Sequence, residues 1–284
     1  MSKGFIFTFL ASIFWAISII IARFVLKAGE NAYNIAFWTT ILATPYWIFV
    51  LSKRKTEIKQ ATKKDYLILL GMGLISTVGT TILEAFAIKY SPAINYAFLM
   101  RSVILFTIVF AYLFLGEKLT LKKIVLAALI LAGAYLLTTK GQAISLGAGD
   151  LFTLAEAALV AFGNNVLGKM ATNRMSTSLS SSGSFLIGVI PIIIIALMNQ
   201  AIVIPQSFFF IMLLTLSYLL GTITRFKAYQ NASATYITMV YSFTPVFVSI
   251  MAVSLLGEAM ITPIQMLGGV LIISAGIAAE KLKI

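Results

Sequence analysis

Ten stretches of this chain are each long and apolar enough to cross a lipid bilayer, and little sequence is left between them. A helix needs about 20 mostly apolar residues to traverse the hydrocarbon core. The runs fall at residues 5–26, 35–51, 66–90, 92–115, 120–139, 149–171, 180–199, 207–229, 233–256 and 263–280, and are numbered spans 1 to 10 below. No water in the membrane core pairs with backbone N–H and C=O groups, so runs of this length close their hydrogen bonds internally, as helices. The expectation is an all-α integral membrane protein with no room for a soluble domain. The first run is too long for a secretory leader and has no small-x-small cleavage site ahead of the second, so it is expected to stay as a span.

The formal net charge of +12 would suggest a nucleic-acid partner in a soluble protein. Here Lys and Arg gather in alternate loops, as the positive-inside rule requires, and no nucleic acid is needed to explain them. The densest group, Lys53, Arg54, Lys55, Lys59, Lys63 and Lys64, lies between spans 2 and 3. Placing that loop in the cytoplasm puts 16 of the 21 basic residues there and predicts both termini cytoplasmic in the plasma membrane. With no Cys and no His, disulfides, Cys/His metal sites, His- or Cys-based nucleophiles and a histidine proton relay are excluded. No metal or cofactor is expected. No Gly-x-x-x-x-Gly-Lys loop is present to bind ATP. A membrane-embedded enzyme would have little beyond Asp65 and Asp150, both at span edges, to add to its few glutamates.

The neighbourhood of Leu115-Gly116-Glu117 returns 141 positions later as Leu256-Gly257-Glu258. Ala132-Gly133 likewise returns as Ala275-Gly276. The Gly-rich stretch 141–149 separates residues 1–140 from 149–284, with five spans on each side. Five is odd, so the second copy enters the bilayer from the opposite side. Inverted copies of this kind form transport pathways with a site near the midplane.

Several short motifs resemble the EamA-type family of the drug/metabolite transporter superfamily. They are Phe14-Trp15-Ala16, Ala87-Ile88-Lys89-Tyr90-Ser91-Pro92-Ala93, Leu115-Gly116-Glu117, and the second-copy stretches Ala228-Tyr229-Gln230-Asn231-Ala232-Ser233-Ala234 and Leu256-Gly257-Glu258. The resemblance implies ten helices as two inverted five-helix repeats around a central cavity, lined mainly by spans 1–4 and 6–9, with spans 5 and 10 peripheral. It also implies a broad substrate range, often metabolite or amino-acid export. Thr235 and Tyr236 depart from the family pattern, where bulky apolar residues are more usual.

Charged residues inside the spans are the sharpest candidates for chemistry, since each costs roughly 2.5–3.5 kcal/mol at mid-membrane. Glu84 in span 3 and Arg101 in span 4 fall at similar depth and are expected to meet, as a structural ion pair or as a substrate or proton site. Thr77, Thr80, Thr81 and Glu84 recur at helical spacing as a polar stripe. The 141-residue offset maps them to Tyr218, Gly221, Thr222 and Arg225, and maps Arg101 to Ser242. Small polar residues also serve plain helix packing. In span 9, Pro245 frees the Tyr241 carbonyl and is a candidate hinge. Glu156 is a second intramembrane carboxylate, on a span that also carries Asn164 and Asn165. Trp15 sits in mid-span and can stack on a substrate with Tyr96 and Tyr241, or simply pack. Trp38 and Trp47 read as interfacial anchors. Glu117 and Glu258 are expected to cap the helices that follow them.

These features point to a secondary transporter working by alternating access on a small polar or amphipathic metabolite. The lipid bilayer is its surroundings and protons are a candidate coupling ion. Arg101 leans toward a substrate with a carboxylate. An uncoupled facilitator or lipid-carrier flippase is the main alternative, and a membrane sensor or scaffold the remoter one. Monomer and homodimer both stay open.

Overall fold

The computed structural model describes residues 1–91, 93–257 and 260–282, without the side chains of Thr77, Thr81, Ala85, Ile88, Lys89, Ala93 and Ile94. Among the described residues there is no strand. Among the described residues nine helices are long and apolar enough to cross a membrane. They are Lys3–Lys27, Ala32–Ser52, Asn95–Leu115, Leu121–Thr139, Asp150–Arg174, Thr177–Met198, Phe208–Asn231, Ala234–Leu256 and Pro263–Lys281, which are spans 1, 2 and 4 to 10. Span 3 runs from 63 to 90 as Lys63–Gly73, a π-helical segment Leu74–Gly79, and Thr80–Tyr90. A short helix not expected from the sequence, Lys55–Gln60, lies in the basic loop before it.

Polar residues at the span ends account for most boundaries. Ser2, Asn31, Thr62, Thr120, Ser176, Ser233 and Thr262 each accept a backbone N–H in the first turn that follows, satisfying a donor the helix itself leaves open. Thr62–Asp65 and Thr262–Gln265 are full capping boxes. Thr62 therefore starts span 3 three residues earlier than the apolar run does. Spans 4 and 9 end on Gly116 and Gly257, with φ of 67° and 64°, a left-handed turn that glycine adopts without strain. This is why Leu-Gly-Glu recurs.

Glu117 was expected to cap the helix after it. Its Oε1 instead accepts the Ala234 N–H at the start of span 9, at 2.7 Å, while Oε2 pairs with Lys123 of span 5 at 3.2 Å. Glu258 lies outside the described residues. Pro245 does not kink a continuous helix. Span 9 is broken into Ala234–Tyr241 and Thr244–Leu256, and Pro245 sits in the first turn of the second piece. The Thr244 hydroxyl donates to the freed Tyr241 carbonyl at 2.8 Å. Span 4 breaks at the matching place, through a 3₁₀ turn at Met100–Ser102, although Ile104 stands where span 9 has its proline. The break thus belongs to both copies and does not need proline.

Span 1 packs along span 8, where Ser217 Oγ donates to the Phe14 carbonyl at 2.7 Å. Spans 5 and 10 pack on each other through two glycines. A Cβ on Gly133 would lie 2.6 Å from the Gly268 carbonyl oxygen, and one on Gly268 2.5 Å from the Gly133 oxygen. Backbone on both sides cannot yield, so alanine must push the helices apart. Overpacking of this kind costs about 1–3 kcal/mol. Gly133→Ala and Gly268→Ala are expected to lower the melting temperature of the detergent-purified protein, measured by intrinsic fluorescence, whereas Gly147→Ala, where an added Cβ meets nothing within 4 Å, is expected to leave it unchanged.

Candidate functional site

Two helix breaks and two π-helical segments bring the polar residues together. The π segments, Leu74–Gly79 in span 3 and Val160–Leu167 in span 6, face each other. Gly79 and Gly163 make that approach possible: a Cβ on Gly163 would fall 2.5 Å from Ser76 Oγ, and one on Gly79 2.8 Å from Leu159. A π turn inserts about one extra residue. In span 6 this rotates Asn165 into the direction Asn164 would occupy in an unbroken α-helix.

Asn165 then joins three spans. Its Nδ2 donates to Thr107 Oγ1 of span 4 and its Oδ1 accepts from the Tyr229 hydroxyl of span 8, both at 2.8 Å. Lys169 Nζ donates to the Tyr229 carbonyl. Asn164 is only half-buried and is not part of this relay. The sequence signal for Asn165 was the Asn-Asn pair itself. Thr107 and Tyr229 carried no signal of their own.

Glu84 and Arg101, expected to meet, form no ion pair among the described residues. Tyr96 is within electrostatic reach of Glu84, Glu156 and Arg101, and its hydroxyl donates to Glu156 Oε1 at 3.3 Å. Glu156 is 4% exposed, and its Oε2 has no hydrogen-bond partner among the described residues. Glu84 is exposed, yet it lies across its helix from Ile82, Phe86 and Tyr90 and within reach of Glu156. Arg101 sits in the 3₁₀ break of span 4 with its Nε buried and unpartnered.

Beyond Arg101 the lining turns aromatic. Tyr241, at the break of span 9, is within reach of both Arg101 and Arg225. The Arg225 guanidinium lies 5.6 Å from the centroid of the Trp15 ring, a cation–π separation. Trp15 also packs against Tyr218 and Tyr241, with ring centroids 5.4 and 6.4 Å away. Ser242 is buried and its hydroxyl donates to the Thr238 carbonyl at 3.0 Å, so it is spent within its own helix. Thr80 bonds back to Ser76 in the same way at 2.7 Å. The side chains of Thr77 and Thr81 lie outside the described residues. The candidate chain of groups is Glu84 and Glu156, Tyr96, Arg101, Tyr241, Arg225, then Trp15 and Tyr218, with distances joining Tyr96 to Glu156 and Arg225, Tyr218 and Tyr241 to Trp15.

The two membrane faces are tied differently. At the face bearing the termini, bonds cross between spans 3, 4 and 6 on one side and spans 1, 8 and 9 on the other. Asn165–Tyr229, Lys169–Tyr229 and Glu117–Ala234 all do so. Around them Arg174 pairs with Asp65 at 2.5 Å, Glu57 accepts the Ser176 N–H at 2.6 Å, and Glu280 accepts from Ser2 and Tyr236. At the opposite face Asp150 accepts from Ser91 and Asn95, linking span 6 to span 4. Glu30 accepts the Ser207 N–H at 3.1 Å and Trp38 Nε1 donates to Val203 at 2.7 Å, linking the loops of spans 1–2 and 7–8. These bonds stay within each group.

The chain is similar to known proteins in sequence and in fold. The profile of the EamA-like transporter family matches residues 2–139 and 147–278. A protein described as an uncharacterized transporter, from Methanothermobacter thermautotrophicus, is 34% identical over 150 residues. That alignment takes in 49% of this chain and 44% of the relative, so the chain matches less than half of the relative's length. A solved structure described only as a crystal structure of a protein superposes with a TM-score of 0.80 at 16% identity. The overlap covers 98% of this chain and 96% of that one, and it bears on the fold alone.

Removing the Tyr229 hydroxyl strands Asn165 Oδ1 and deletes one tie between the two groups of spans, worth about 0.5–1.5 kcal/mol net. In this cysteine-free chain a single cysteine at Ser242 reports access cleanly. Tyr229→Phe is expected to raise its labelling rate from the terminal face several-fold; an unchanged rate means the relay does not seal that face.

Proposed function

The chain belongs to the EamA-like transporter family, which makes it a multi-pass membrane transporter and not an enzyme, and on that premise we propose that it is a secondary transporter exporting a small polar or amphipathic metabolite by alternating access. Amino acids are among the candidate substrates. In this reading residues 1–140 and 149–284 are inverted copies, both termini are cytoplasmic, and the membrane is the plasma membrane. The observation that carries it is Glu84. It is exposed, and in this reading it opens to the face opposite the termini, while the bonds of Asn165, Tyr229 and Lys169 tie the terminal face shut. A path open to one face and closed to the other is one half of an alternating-access cycle.

The π segments supply the moving parts better than Pro245 does. Thr80–Tyr90 and Asp150–Leu159 pack on each other beyond the two π turns, so they swing as one body. Swinging toward span 9 covers Glu84 and Glu156 and strains the ties at the terminal face. π turns have weaker local hydrogen bonding and recur where helices bend for function.

Glu84 and Glu156 lie close enough to repel when both are ionised, with Tyr96 beside them and Arg101 next in line. One proton held between them is the coupling device in this reading: substrate leaves as a proton enters. Flux in proteoliposomes, using the ligand that most raises the melting temperature of the purified protein, is expected to quicken as the receiving compartment is made more acidic. Glu84→Gln and Glu156→Gln are expected to flatten that dependence. Wild-type flux that ignores pH removes proton coupling and favours a facilitator. If no ligand stabilises the protein and none crosses, the metabolite-exporter reading fails.

A further inference from the structure

We propose that the corner between spans 2 and 3 is a docking surface for anionic phospholipid headgroups of the leaflet at the terminal face, held by Lys53, Lys55, Lys59, Lys63 and Lys64. Such a surface requires only the membrane fold and stands apart from whatever the protein carries.

Six of the chain's basic residues fall within residues 53–64, with two acids, Glu57 and Asp65, in or beside that stretch. The fold takes both acids out of play. Glu57 turns toward span 7, where its Oε1 accepts the Ser176 N–H at 2.6 Å and its Oε2 the Ser176 hydroxyl at 2.7 Å. Asp65 is buried; its Oδ1 pairs with Arg174 at 2.5 Å and its Oδ2 accepts from the Thr62 hydroxyl at 2.7 Å. Of the basic residues Arg54 is engaged, donating to Ser178 Oγ at 3.2 Å. The five lysines are exposed, and among the described residues their ammonium groups make no hydrogen bond and no ion pair. Positive charge is left facing outward with no counter-charge on the protein.

The patch is fixed in place. In the short helix Lys55–Gln60, Ile58 packs against the apolar cluster of spans 3, 6, 7 and 8, and its carbonyl accepts the Tyr66 hydroxyl at 2.8 Å. Glu57 and Ile58 thus face the protein, and at about 100° per residue Lys55, Thr56 and Lys59 fall on the opposite side. Lys63 and Lys64 open span 3. Lys53 closes span 2, with its Nζ 5.1 Å from the centroid of the Phe49 ring. Phe49 on span 2 and Tyr66 and Leu67 on span 3 are exposed, so the lysines border an apolar surface made for lipid, where their stems cover apolar area and their charges reach the headgroups. Basic clusters just beyond a membrane helix draw anionic lipids, and here the fold has already ordered the helix that carries them. A general bias of Lys and Arg toward one face would be met by charges scattered over its loops. Instead six stand in one loop, whereas residues 199–206, between spans 7 and 8 at the other face, include none.

The chain has no cysteine, so Thr56→Cys carries a single fluorophore beside the lysines and Gln206→Cys carries one at the other face. Each full-length protein is reconstituted in phosphatidylcholine vesicles containing a small fixed fraction of spin-labelled phosphatidylglycerol or, in parallel, spin-labelled phosphatidylcholine. The anionic lipid is expected to quench the fluorophore at residue 56 at least about twofold more than the zwitterionic one. That excess is expected to shrink as salt is raised, and the two lipids to quench alike at residue 206. Combining Lys55→Gln, Lys59→Gln, Lys63→Gln and Lys64→Gln is expected to remove the excess, in protein whose melting temperature shows it folded. Equal quenching by the two lipids at residue 56 overturns the proposal, as does an equal excess at residue 206 or an excess that survives in the folded fourfold variant. An excess abolished by inorganic phosphate, at unchanged ionic strength, assigns the patch to free phosphate and overturns the lipid reading as well. The comparison of the two lipids on the unaltered lysines stands even if the fourfold variant does not fold.

Discussion

Every backbone N–H and C=O in a bilayer must find its partner within the protein, because the hydrocarbon supplies none. That requirement makes the whole chain helical and gives each departure from the α-helix a meaning. Among the described residues there are four in the spans: π segments in spans 3 and 6, and breaks in spans 4 and 9. At the break in span 9 the Thr244 hydroxyl takes up the Tyr241 carbonyl. All four bear on the same chain of polar groups. Arg101 and Tyr241 sit at the two breaks, Asn165 is turned inward by a π segment, and Glu84 lies just beyond the other. Irregular backbone is tolerated at membrane depth where it lines an interior, and discontinuous helices are where transporters build their sites.

The two halves share a scaffold and have diverged in chemistry. Gly116 and Gly257 end spans 4 and 9 in the same left-handed turn, and both spans break at matching residues. Yet Glu84 answers to Arg225, Arg101 to Ser242, and Ile104 to Pro245. The acids gather with spans 3, 4 and 6, while Arg225 and the aromatic rings gather with spans 1, 8 and 9. At the terminal face Tyr229 and Glu117 tie these groups together. Charge is thus divided between the two groups of spans.

Much of this was legible because cost in a membrane is a property of single residues. An apolar run of sufficient length announces a span, and Glu84, Arg101 and Glu156 stand out because a charge is expensive wherever in the hydrocarbon it falls. Span starts were legible less well, since Thr62 and Asn31 set them through their own hydrogen bonds and not through hydropathy. Trp15, Tyr96, Tyr218 and Tyr241 all reached the candidate site, whereas Ser242 bonds within its own helix. Other features were invisible. Nothing in the local sequence distinguished Asn165 from Asn164, because the choice rests on helical phase and a π turn changes that phase by one residue. The partner of Glu117 lies in the other half of the chain.

The sequence by itself determined that this is a ten-span membrane protein built from a recurring unit, and which charges its interior must accommodate. Both follow from transfer energies and spacing, which each segment carries with it. Only the tertiary structure decided that Glu84 and Arg101 form no ion pair, that Glu156 takes the Tyr96 hydroxyl, that Arg225 lies over Trp15, and that Asn165 joins Thr107 to Tyr229. Those outcomes depend on which helices are neighbours and on how far each has turned about its axis. A shift of one residue in phase moves a side chain about a quarter of the way around a helix, enough to exchange the interior for lipid.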